Sequence, residues 1–165
     1  MEGTGLGYPS GMAPTESSLL GFIGRGVVAS VAGTAVMTAF QRFVEMPLTG
    51  RQDSYAPASF AQRVLPIRVD DPKARERLNF VTHYALGAMW GSAYGVAAYA
   101  GLRGQKAVAP VFGVVYAGDV LLNTALGLYK PTSWTAEDIA IDVGDKLIQA
   151  AATGAIFDRF LDPVD

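Results

Sequence analysis

Several acids in this chain stand where acids are expensive. Asp119 and Asn123 lie one helical turn apart in the middle of an apolar run, Ala107 to Tyr129 (AVAPVFGVVYAGDVLLNTALGLY). A carboxylate at the centre of a membrane span costs about 3 kcal/mol on insertion scales and normally faces a partner or water. A second set, Asp138, Asp142, Asp145 and Gln149, recurs at i, i+4, i+7 and i+11, one face of a helix whose other face carries Ile139, Val143, Leu147 and Ala151. Asp119 with Asp142 or Asp145 could form an ion or proton site. The competing reading makes Asp119 a hydrogen-bonded residue that fixes helix packing. For the acidic face the alternatives are exposure to water, with Lys146 one turn after Asp142 as a favourable pair, or contact with a partner protein.

His83 is the single histidine, so a multi-histidine metal site is excluded. It could act as a proton relay, since imidazole titrates near neutral pH. It could also serve as an axial ligand to haem or a chlorophyll-type pigment, with Gly87 leaving room for a ring. The plainer reading is an interfacial or bundle-facing histidine bonded to a neighbour. The absence of cysteine removes disulfides, thiolate zinc, iron–sulfur ligation and covalent haem attachment. No Glu-x-x-His pair, phosphate-binding glycine loop or Ser-His-Asp order is present. Enzymatic function is therefore not expected. A net charge of −2 without a basic reading surface likewise gives no expectation of nucleic-acid binding.

The elements that must position these residues are long and apolar. Charged residues make up 17% of the chain against about a quarter in ordinary domains, and half of it is apolar. Phe80 to Leu102 (FVTHYALGAMWGSAYGVAAYAGL) contains no Asp, Glu, Lys or Arg. As a helix it would reach about 34 Å, enough for a bilayer core of about 30 Å. Gly87, Gly91 and Gly95 recur every fourth residue along it, a smooth face that lets another helix approach closely. Leu19 to Phe40 is a second such run, with Arg25 near one end and Gly24, Ala29, Ala32, Gly33 and Ala35 as small packing residues. The expected fold is all-α, an integral membrane bundle of four transmembrane helices at about 19–43, 79–102, 107–129 and 136–160. The fourth is the weakest, because its first half is acidic. A soluble helical protein is the third possibility, although core helices are commonly half this length.

A Gly-, Pro- and Ser-rich segment, 1–18, reads as a flexible N-terminal tail, with Ser17 or Ser18 as cap for the first helix. It lacks the basic region of a secretory signal. The four-helix membrane domain would cover 19–160, and 161–165 would be a frayed C-terminal tail. Residues 44–78 read as a long polar loop broken by Pro47, Pro57, Pro66 and Pro72. Within it, Ala58 to Leu65 suits an interfacial amphipathic helix, and Asp71-Pro72 a capped lead-in to the second span. Arg51, Arg63, Arg68, Lys73, Arg75, Arg77 and Lys130 would lie on one side, against Arg103, Lys106 and Arg159 on the other. That asymmetry expects loop 44–78 in the cytoplasm and both termini outside.

The pattern His83-Tyr84, Gly87, Gly91, Tyr94-Gly95, followed by Leu126-Gly127-Leu128 and Pro131, resembles small bacterial inner-membrane proteins of the YagU type. The likeness covers roughly residues 20–157 and rests on packing motifs. It implies a four-helix, multi-pass protein of the bacterial inner membrane and assigns no activity. The fourth helix departs from it, carrying more acids than relatives usually do. The expected function is a structural or accessory subunit of a larger membrane assembly, in contact with lipid and with other subunits or copies of itself. The alternative is a small proton- or ion-handling transporter using Asp119, Asp142 and Asp145.

Overall fold

The computed structural model describes residues 18–163, so the expected tail 1–18, apart from Ser18, and Val164 and Asp165 lie outside the described residues. The fold is all-α, with no strand among the described residues. Helix α1 (Leu19–Phe40) starts at Ser18, whose hydroxyl accepts from the Gly21 amide at 3.2 Å. It does not stop near 43 as the sequence suggested. It continues through a π turn, Gln41–Glu45, into α2 (Met46–Thr49), giving 31 continuous helical residues. The widened turn precedes Pro47, which has no N–H and whose ring blocks a regular i−4 bond. Gly50, at φ 69°, then ends the helix in the left-handed region.

The segment 44–78 is largely helical rather than a loop. It holds α2, α3 (Ala56–Val64) and the start of α4 (Pro72–Tyr99). Asp71 caps α4 by accepting from Ala74 N at 2.8 Å, with Pro72 in the first position, as the sequence indicated. Helix α4 is 28 residues long, so its axis extends about 42 Å. Helix α5 (Gln105–Ala125) begins earlier than 107, which places Pro110 beyond the first turn. Helix α6 (Ala136–Ile156) opens on a capping box between Thr135 and Asp138 and runs on as a π turn, Phe157–Leu161. The described part of the expected C-terminal tail is tied down: Asp162 pairs with Arg25 at 2.6 Å and with Arg103.

The long helices alternate in direction. Against α4, Gly26 of α1 meets Gly91 and Gly95, Ser30 meets Gly87, and Thr38 meets His83, so the two run antiparallel. Against α6, Gly33 faces Gln149 and Thr153, and Gln41 faces Asp145. Helix α5 completes the bundle, with Gly118 beneath the Trp90 ring and Val108 against Gly154. Gly95 shows how close α1 comes: a Cβ there would lie 2.8 Å from Ile23 Cα. Close helix packing of this kind uses small residues to bring backbones together.

The interior combines an apolar cluster (Phe22, Ala29, Tyr94, Ala98, Ala107, Val108 and Phe157) with several polar side chains, and large apolar side chains also lie outside. Ser30, Thr34, Asp119, Asn123, Asp145 and Thr153 are buried, whereas Leu20, Val28, Phe80, Val114, Leu121 and Leu147 face outward. Among the described residues, two helices, Leu19–Thr49 and Lys106–Ala125, are long and apolar enough to cross a membrane, and only 33% and 22% of their apolar windows are buried. A soluble core helix of that hydropathy would be mostly covered. Phe80 to Leu102 is not one of the two, because its Gly, Ser, His, Tyr and Trp residues dilute its hydropathy.

Candidate functional site: a lysine between two acids

Helix α5 carries Asp119 and Asn123 on the side facing α6, and both are buried. Asn123 Nδ2 donates to Asp119 Oδ1 and to the Asp119 carbonyl, each at 3.0 Å, which fixes the carboxylate against its own helix. From α6, Lys146 Nζ reaches Asp119 Oδ2 at 2.9 Å and Asp142 Oδ1 at 2.7 Å. The ammonium also lies 5.3 Å from the Tyr116 ring centre and 5.7 Å from that of Tyr129. One cation thus sits between two carboxylates and two aromatic rings. Acids removed from water need such partners, since an unpaired buried charge is far more costly than a paired one.

The acids expected on one face of α6 have separate jobs. Asp142 joins Lys146 and Asp119. Asp145 faces α1 instead, where its Oδ2 accepts from Gln41 Nε2 at 2.7 Å. Asp138 caps its own helix, accepting from Thr135 N at 2.9 Å, and pairs with Arg51 at 3.3 Å. Asp119 and Asp142 therefore come together, and Asp145 and Asp138 do not join them.

Gln149 extends a polar line into the centre of the bundle. Its Nε2 donates to Thr34 Oγ1 at 2.8 Å, and Thr34 Oγ1 donates to the Ser30 carbonyl at 2.7 Å. Beside these groups is a small, mainly apolar cavity of about 30 Å³, walled by Trp90, Val111, Phe112, Val115 and Ala150, with Lys146 and Gln149 at its polar side.

His83 lies 3.0 Å through Nε2 from Thr38 Oγ1. The Thr38 hydroxyl already donates to the Thr34 carbonyl at 2.8 Å, so it accepts from Nε2–H. The space expected beside Gly87 for a haem or pigment ring is filled by α1: a Cβ at Gly87 would lie 3.1 Å from Thr34 Cβ. His83 is a helix-to-helix contact, and the ring-binding reading of Gly87 is corrected on that ground. Gly87, Gly91 and Gly95 all face α1.

A second acidic centre was not legible in the sequence. Asp158 Oδ2 accepts from Tyr94 OH at 2.6 Å and from Gly104 N at 2.8 Å, tying α6 to α4 and to the turn before α5. Nothing in the sequence indicated that Asp158 folds onto Tyr94, or Asp162 onto Arg25 and Arg103. No family model, curated protein or solved structure matches this chain.

Proposed function

We propose that this chain is a four-span protein of the bacterial inner membrane that serves as a structural or accessory subunit of a larger membrane assembly. The observation that carries the reading is the exposure of large apolar side chains along the long helices, with only 33% and 22% of the two most apolar windows buried. The interior combines an apolar cluster with acids, amides and hydroxyls joined to fixed partners. Such a body is soluble in lipid and presents side chains to neighbouring helices. Its acids act as internal struts. The YagU-type resemblance supports the same placement. The charge asymmetry favours loop 44–78 in the cytoplasm and both termini outside.

Gentle detergent extraction followed by native mass measurement tests this reading. A particle far heavier than 17.4 kDa with defined other subunits supports it. A lone monomer rejects it.

One observation favours ion or proton handling as a second reading. Asp142 Oδ2 and Asp145 Oδ1 are buried and accept no hydrogen bond. In that reading Asp119, Asp142 and Asp145 carry the moving charge. An Asp119→Asn protein that assembles normally but loses proton or ion flux in proteoliposomes would support it, and normal flux would reject it.

A further inference from the structure

The start of α4 has two unlike faces. Arg75 and Asn79, one turn apart, face α3. Asn79 Oδ1 accepts from Ala58 N at 3.0 Å, its Nδ2 donates to the Ser54 carbonyl at 2.9 Å, and the Arg75 guanidinium lies 5.2 Å from the Tyr55 ring centre. The opposite face carries Lys73, Arg77, Phe80 and Val81 at i, i+4, i+7 and i+8, and it is open. Lys73, Glu76, Arg77, Phe80 and Val81 line a shallow recess of about 530 Å³. Phe80 and Val81 are 61% and 63% exposed. Neither Lys73 nor Arg77 has an ion-pair partner among the described residues.

The order of these residues along the helix is the order of a phospholipid along the bilayer normal. Cations come first, and bulky apolar side chains follow one turn deeper. Two cations and the Glu76 carboxylate leave one positive charge in the recess. A singly anionic phosphodiester neutralises that charge, and a zwitterionic headgroup does not.

We propose that Lys73 and Arg77 hold the phosphate of an anionic glycerophospholipid whose acyl chain lies along Phe80 and Val81. The proposal rests on the membrane reading above and adds to it a ligand of stated chemistry. Glu76 restricts the recess to one phosphate by repelling a second. Arg75 and Asn79 hold α3 on the far side, so the open face stays turned toward lipid.

Detergent-purified protein titrated with phosphatidylglycerol or phosphatidylcholine, with bound lipid counted by native mass spectrometry, tests the proposal. Phosphatidylglycerol should bind tighter, and its affinity should fall about fivefold for each of the two cations removed by Lys73→Ala and Arg77→Ala. The charge-keeping pair Lys73→Arg and Arg77→Lys should retain the preference, as should Lys106→Ala in the first turn of α5. These side chains are exposed, so the variants should melt like the parent protein. Equal binding of both lipids, or undiminished phosphatidylglycerol binding in the double alanine variant, overturns the proposal while leaving the membrane reading intact. Release of the parent protein from native membranes by alkaline carbonate would remove that reading, and the proposal with it.

Discussion

Lys146 Nζ lies 2.9 Å from Asp119 Oδ2, joining α6 to α5 through an ion pair that both helices bury. The two side chains are only 19% and 11% exposed. Helix α5 also meets the bundle at Trp90 over Gly118 and through Ala107, Val108 and Val111 in the apolar cluster. Lys146→Met leaves Asp119 and Asp142 facing one another without their cation. Removing one member of a buried pair costs about 3–5 kcal/mol, so Lys146→Met should melt well below the parent protein in detergent. Adding Asp119→Asn and Asp142→Asn should recover much of the loss, because no unpaired charge then remains. Equal melting of the parent and Lys146→Met proteins would mean that the pair does not hold α5 in place.

Gly91 packs on Gly26 and Ser30 of α1, and a Cβ at Gly91 would meet the Gly26 carbonyl oxygen, which is backbone and cannot rotate aside. Gly91→Leu should therefore wedge α1 from α4 and break the hydrogen bond from Ser30 Oγ to the Gly87 carbonyl, now 2.7 Å. Gly113→Leu is the control, since a Cβ there has open space around it. Limited proteolysis in detergent should cleave the Gly91 variant quickly and leave the Gly113 variant resistant. Equal resistance would show that the close approach is dispensable.

Thr135 supports the entry to α6: its hydroxyl accepts from Asp138 N at 3.1 Å, and its amide donates back to Asp138 Oδ2 at 2.9 Å. Thr135→Ala should lower stability by about 1 kcal/mol. Hydrogen exchange should rise in the first turn of α6 and stay unchanged near Thr153. Uniform exchange along the helix would place the effect elsewhere.

What was legible in the sequence was local. Asp71 as a cap, Gly87, Gly91 and Gly95 on one face, and Asp142 one turn from Lys146 all follow from spacing within a single helix. Register between helices was not legible. That Lys146 reaches across to Asp119, that Asp145 turns to Gln41, and that Asp162 returns to Arg25 depend on how far each helix slides and rotates. The π turn at Gln41–Glu45 was missed as well, because Pro47 reads as a terminator until the preceding turn is seen to widen and carry the helix past it. Phe80 to Leu102 is free of charge without being among the most apolar helices. Freedom from charge is not the same as apolarity, and glycine and hydroxyl-bearing aromatic residues contribute little to transfer into lipid.

The four-span reading turns on α4 and α6, neither of which is one of the two most apolar helices, and α4 can be tested directly. The chain has no cysteine, so single cysteines can be introduced without background. Asp70 and Lys106 are both exposed and lie just outside the two ends of α4. Asp70→Cys and Lys106→Cys proteins, treated in intact cells with a membrane-impermeant maleimide, should differ. The Lys106 position should label directly, and the Asp70 position only after lysis, as the basic side is retained in the cytoplasm. Labelling of both from the same side would leave α4 outside the hydrocarbon layer. The helices Leu19–Thr49 and Lys106–Ala125 would then be the only spans, and the acids of α6 would face water instead of a bundle interior.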